Sequence, residues 1–112
     1  MRTTGQSAYP GRPAKRLMLR MSVHDHVRHR SLEMEILKHA RRSKMAGATV
    51  FEGAEGFGRS GRVHEERLLS DDRPLTIVIV DEPAKIDAFL EENTELLDGV
   101  LAIVEEIEIL DL

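Results

Sequence analysis

Cysteine is absent from the chain, which removes disulfides, thiolate metal centres and cysteine nucleophiles together and favours an intracellular setting. No apolar run approaches the ~18 residues of a membrane span, and the N-terminus lacks the apolar centre of roughly 7–15 residues that marks a signal peptide. A soluble, cytoplasmic protein without direct membrane insertion is expected. Aromatic residues make up only 4% of the chain and are not interleaved with the basic ones, so the stacking platform of a single-strand nucleic-acid binder is missing.

What is present is charge, unevenly placed. Residues 1–50 hold 11 Lys/Arg and 3 Asp/Glu, whereas residues 51–112 hold 5 and 17, so a net +8 half precedes a −12 half. Folding one half against the other cancels much of this field, and no nucleic-acid partner is expected. With 112 residues, 41% of them hydrophobic, the chain suits one domain with one modest core.

The stretch around which the chain is organised runs from Gly47 to His64. A β-branched and aromatic run, Thr49 to Phe51, stops at a glycine cluster, Gly53, Gly56, Gly58 and Gly61, and passes into a polar segment bearing Arg59 and Arg62. That pattern predicts a strand feeding a long loop. Glycines in this number let a ligand or another backbone approach closely. Gly53, Gly56 and Gly58 can offer backbone N–H groups to an anion, and Arg59 and Arg62 can clamp a phosphate. The alternative is a loop whose glycines only shape a bend, with Phe57 plugging a subunit interface.

Elsewhere, Met1 to Pro13 carries Gly and Pro without periodicity and is expected as a disordered tail, leaving residues 14–112 as the domain. Leu17, Leu19 and Met21 alternate with Arg16, Met18 and Arg20, a half-buried first strand over Lys15 to Met21. Ser22 to Arg30 reads as a polar link. Leu32, Ile36 and Ala40, with Ser31 as N-cap and Gly47 past the last turn, predict a basic helix over about Ser31 to Lys44. Leu75 to Val80 reads as a central strand covered on both faces. Asp81-Glu82-Pro83 opens a helix with Ile86, Phe89, Leu90 and Leu97 on one side, ending at Asp98-Gly99. Leu101 to Ile109 supplies a last strand. The order β-α-β, loop, β-α-β is that of an α+β, ferredoxin-like βαββαβ sandwich: a four-stranded antiparallel sheet with two helices on one face. Ion pairs between the basic and the acidic helix are expected to bridge them.

No catalytic residue and no cofactor is expected. Gly53, Gly56 and Gly58 give the wrong order for a dinucleotide fingerprint, and no helix follows to meet a pyrophosphate. The alternative function is a small enzyme or metal-binding protein using His64, beside Glu65 and Glu66, or the cluster His24, His26 and His29, with Asp25 orienting one imidazole. The cluster matches no zinc spacing, so no metal site is assigned.

Gly47-Ala48-Thr49-Val50, Gly53, Gly56-Phe57-Gly58, Val63-His64, Pro74, the strand Ile77 to Asp81 and the closing Glu105-Glu106-Ile107-Glu108-Ile109 resemble the domain of unknown function 190 family over about Lys15 to Leu110. That family resembles PII-like signalling proteins in fold. It usually has a glycine near position 44 and an aromatic near position 33, where this chain has Lys44 and Glu33. The resemblance implies a homotrimeric regulatory module, sensing a small anionic ligand such as an adenine nucleotide at clefts between subunits. It also implies a regulated transporter or enzyme as partner. On this reading Gly53, Gly56, Phe57, Gly58, Arg59, Arg62 and His64 form the ligand site, and the segment from Gly56 to Asp72 is the most mobile internal part.

Overall fold

The structure, a computed structural model, describes residues 10–53 and 73–112. Among the described residues the elements follow in the order β1 (Gly11–Ser22), β2 (His26–Val27), β3 (Arg30–Ser31), α1 (Leu32–Arg42), β4 (Ala48–Glu52), β5 (Pro74–Asp81), α2 (Pro83–Glu92) and β6 (Leu101–Leu110). The main sheet is antiparallel throughout, in the order β4-β5-β1-β6. This is the expected ferredoxin-like arrangement.

Register explains which side chains meet. Leu17, Leu19 and Met21 of β1 stand opposite Ile79, Ile77 and Leu75 of β5. All six enter one buried cluster with Leu32, Ile36 and Ala40 of α1, Ile86 and Phe89 of α2, and Val100. Both helices therefore cover the same sheet face. The other face carries Met18, Val78, Val80 and Ile103, each only partly shielded. β5 is apolar on both sides, as its sequence predicts, but alternates between buried and half-buried because helices cover just one of them.

The elements differ from expectation at their ends, for local reasons. β1 begins at Gly11, inside the stretch expected as tail. Pro13 is tolerated there because β5 pairs only from Lys15 onward, so at Pro13 the strand has β6 as its one neighbour. A backbone hydrogen bond from Asp111 N–H to the Pro10 carbonyl, 2.9 Å, closes the ribbon's far end. The polar link contains a hairpin, β2 to β3, turning at Arg28 and His29 with φ of 50° and 69°. Such two-residue turns normally carry Asn-Gly, so the sequence gives no signal for it. Asp25 supports the hairpin by accepting from Ser22 N–H at 2.9 Å and does not orient an imidazole.

Ser31 caps α1 as expected, its Oγ accepting from Met34 N–H at 3.3 Å. The C-terminus differs: Lys44, not Gly47, occupies the left-handed region, with φ 58°. Met45 N–H reaches back to the Ala40 carbonyl at 3.1 Å and Lys44 N–H to Arg41 at 3.0 Å, the paired bonds of a Schellman motif. A lysine there carries a left-handed penalty of ~1–2 kcal/mol that glycine avoids. Lys44→Gly is accordingly expected to stabilise the fold by about 0.5–1 kcal/mol after glycine's own entropic cost, raising the melting temperature by roughly 2–5 °C. A lower melting temperature in calorimetry would show that the lysine side chain contributes more than its backbone strain removes.

α2 stops at Glu92, short of Asp98-Gly99. Asn93 ends it by folding its side chain back, Nδ2 donating to the Phe89 carbonyl at 2.8 Å. Turns then lead to Gly99, φ 85°. No ion pair joins α1 to α2 among the described residues. His39 Nδ1 instead bonds Asn93 Oδ1 at 2.6 Å. Because Asn93 Nδ2 is donating to Phe89, its Oδ1 must be the acceptor, so His39 Nδ1 carries the proton. Charged side chains of the two helices pair with strand residues instead, Asp87 of α2 with Lys15 at 2.7 Å and Glu35 of α1 with Arg30 at 3.4 Å.

Candidate ligand site between β4 and β5

β4 and β5 end at the root of the glycine and arginine segment. Gly53 is the last residue described before it and Arg73 the first after it. Three contacts pin this root. Gly53 N–H donates to the Pro74 carbonyl at 2.8 Å, Val23 N–H donates to the Arg73 carbonyl at 2.9 Å, and Arg73 Nη2 lies 3.2 Å from Glu52 Oε1. Gly53 is a glycine because of space: a Cβ there would meet the Pro74 ring at 2.9 Å. Its N–H, expected to be open to an anion, is engaged within the sheet. Close approach, and not donation, is what Gly53 contributes.

Gly56, Phe57, Gly58, Arg59, Arg62 and His64 lie outside the described residues, as does the expected mobility of residues 56–72. Of the histidine cluster, His24, His26 and His29 are all exposed on or beside the β2 to β3 hairpin, and His26 Nδ1 contacts the His24 carbonyl. Among the described residues no group of three His, Cys, Asp or Glu is placed to hold a metal ion. No described helix is long and apolar enough to cross a membrane.

At the opposite end of the sheet a second set of contacts fixes the helices. Asp81, 8% exposed, accepts from Ala46 N–H at 2.8 Å and from Glu82 N–H at 2.7 Å. Lys85 Nζ stands 3.7 Å from its Oδ2 and donates to the Lys44 carbonyl at 2.5 Å. Burial alone would push the Asp81 carboxyl up; the two backbone N–H groups and the Lys85 ammonium outweigh it and hold the group below its ordinary value. In the sequence Asp81 stands out only as part of the Asp81-Glu82-Pro83 run that opens a helix. Its burial and its link to Ala46 depend on the sheet register, which sequence periodicity does not report. An open groove of ≈ 860 Å³ lies between the hairpin and the C-terminal end of α2, lined by Arg28, Glu35, His39, Glu92 and Asn93 among others; it too was not foreseen.

Comparison with known proteins places this geometry. A protein from Aquifex aeolicus (strain VF5) named UPF0166 protein is 31% identical over 77 residues, 67% of this chain and 72% of its own length. Among solved structures, CPII from Thiomonas intermedia K12 bound to ADP and bicarbonate shares 18% identity at a TM-score of 0.71, covering 93% of this chain and 95% of the other. A second structure of CPII, described as a nitrogen regulatory PII-like protein bound to ADP, AMP and bicarbonate, gives 16% and 0.71 over 93% and 94%. At such identities the likeness shows the fold. The family model for DUF190, described as uncharacterized ACR, matches residues 14–109, nearly everything from the first strand to the last. On that match the chain belongs to the domain of unknown function 190 family.

Proposed function

We propose that this protein is a regulatory module of the PII-like kind that binds a small anionic ligand, an adenine nucleotide in the first place, through the segment rooted at Gly53 and Arg73. The observation that carries this reading is the insertion of a glycine- and arginine-bearing segment at a pinned strand edge, in the same fold as CPII, whose structures hold ADP. Arg59 and Arg62 supply charge-assisted hydrogen bonds to phosphate, Gly56 and Gly58 admit it to the backbone, and Phe57 and His64 border it. The partner whose activity it sets is a transporter or an enzyme.

The reading includes assembly. The helix-free sheet face carries Met18, Val78, Val80, Ile103 and Ile107, all half-buried in a lone subunit, and a patch of this kind on a small domain is commonly covered by another copy. The reading takes this assembly to be a homotrimer with ligand clefts between subunits. Calorimetric titration with ADP, ATP and AMP, together with amide exchange, tests both parts. ADP binding should slow exchange across residues 56–72, and an Arg59→Ala, Arg62→Ala double variant should bind at least about tenfold more weakly, since hydrogen bonds to charged groups contribute ~1.5–3 kcal/mol each. Unchanged exchange under saturating nucleotide would return the glycines to a purely structural role. A response to divalent metal alone, lost with His24, His26 and His29 replaced, would favour the metal-binding alternative.

A further inference from the structure

The helix layer stops short of one edge of the sheet. α2 packs on β1 and β5, and α1 stands beside it on the β4 side, where Val50 of β4 packs against the core cluster and His39 meets Asn93. No helix covers β6. On its helix side Ala102, Val104, Glu106 and Glu108 stand opposite Leu19, Leu17, Lys15 and Pro13, and all four are exposed, Val104 by 42%. This shelf is apolar at one end and acidic at the other. Lys15, the cross-strand neighbour of Glu106, is taken by Asp87 at 2.7 Å, and among the described residues neither Glu106 nor Glu108 has an ion-pair partner.

The opposite flank of the layer carries the complementary set. A helix turns about 100° per residue, so with His39 against α2 the side chains of Leu37 and Arg41 point away from it, and Met34 falls on the same flank. Met34 is 61% exposed, Arg41 and Lys44 are exposed, and neither of these cations has an ion-pair partner among the described residues. The two flanks also match in level. Lys15 stands between Asp81 and Glu106, and Asp81 holds Ala46 N–H and Lys85, whose ammonium reaches the Lys44 carbonyl. The basic end of α1 is therefore level with Glu106. α1 returns from the end of β1 towards Lys15 and so runs the same way as β6, which puts Met34 about 10 Å back along the helix from Arg41 and Ala102 about 13 Å back along the strand from Glu106. We infer that the β6 shelf of one copy of this chain receives α1 of the next, Met34 and Leu37 lying on Ala102 and Val104 while Arg41 and Lys44 meet Glu106 and Glu108. An apolar cover would strand two carboxylates away from water, whereas α1 brings apolar surface and cations in the required order. Each subunit gives one flank and receives on the other, and repetition about an axis along the strands keeps the levels and closes a ring. The contact rests on the assembly reading given above and names the residues that join neighbours.

Sedimentation velocity on the full chain tests it, with circular dichroism confirming that each variant is folded. Arg41→Glu and Glu106→Arg, each alone, should weaken self-association at least about tenfold, since every contact round the ring then sets like charges together. The double exchange Arg41→Glu, Glu106→Arg should restore it. Within one chain α2 lies between these two residues, so the restoration can arise only between copies. Should a reversal not fold, Arg41→Gln and Glu106→Gln take its place, and each should still weaken association. Single variants that assemble like the wild type would overturn the contact and leave the assembly reading standing, and so would a double exchange that associates no better than the single variants. A wild-type chain that sediments as a monomer at micromolar concentration would overturn the assembly reading and the contact with it.

Discussion

Phe89→Ala is expected to leave the domain at or beyond the limit of its stability, at a cost of about 3–5 kcal/mol. Phe89 is 1% exposed and is the largest fully buried side chain among the described residues, and it sits where α2 packs on β1 and β5 in the core cluster. A sandwich with one covered sheet face has no second core to compensate. Domains of this size have total stabilities of ~5–15 kcal/mol, so the loss takes a large share. The damage should also spread locally, because the Phe89 carbonyl receives both the backbone N–H and the side-chain Nδ2 of Asn93, and Asn93 in turn receives His39. Phe89→Leu keeps most of the volume and should cost less than ~1.5 kcal/mol. Urea unfolding of the two variants separates the cases. A Phe89→Ala chain within 1 kcal/mol of wild type would mean that the core closes around the cavity, contrary to the packing of α2 on two strands.

Asp81 is the second position where a single change should be severe. Asp81→Ala removes the acceptor of the Ala46 and Glu82 N–H groups and the counter-charge of Lys85, and is expected to cost about 2–4 kcal/mol. Asp81→Asn keeps an acceptor without the charge and should cost roughly half as much. The two replacements also predict a pH signature. The folded carboxyl titrates below its unfolded value, so its stabilising contribution is complete above the ordinary carboxylate range, about 4, and is lost as pH falls through the lower, folded value. The stability gap between wild type and Asp81→Asn should therefore be constant from pH 7 to about 5 and close below about 4. A gap that widened with acid would mean that the folded carboxyl titrates above the unfolded one.

Where sequence reading succeeded, the residues carry their own local reasons. Leu17, Leu19 and Met21 announce a one-sided strand, Ile36 and Ala40 a helix stripe, and Ser31 a cap, each by spacing alone. Where it failed, the deciding partner is distant. Asn93 stops α2 through its own Phe89 and is held by His39 on the other helix; nothing in the run from Glu92 to Leu97 announces that. Arg28 and His29 turn tightly in a conformation their side chains disfavour, so composition points away from the hairpin that is there. Lys44 lies where a glycine would be expected, and Gly47, which drew attention as a glycine, has open space around it. The candidate site was legible as a glycine and arginine pattern, whereas the engagement of Gly53 by Pro74 is a property of the β4 to β5 ladder.

The bond between Asp111 and Pro10 has a practical consequence for how this protein can be handled. Chain segments attached before Pro10 and after Asp111 leave from one corner, at the start of β1, while Gly53 and Arg73 lie beside its other end, reached through Val23. Twelve strand residues separate the two, a span of about 40 Å at ~3.3 Å per residue. A dye, an affinity tag or a surface tether at either position is thus held far from Gly53 and Arg73, so immobilised protein keeps that end of the sheet open to solution. A peptide of a few residues could also join the two positions covalently, with little loop-closure cost, and a circular permutant opened at exposed Gly47 would retain every ladder of the main sheet.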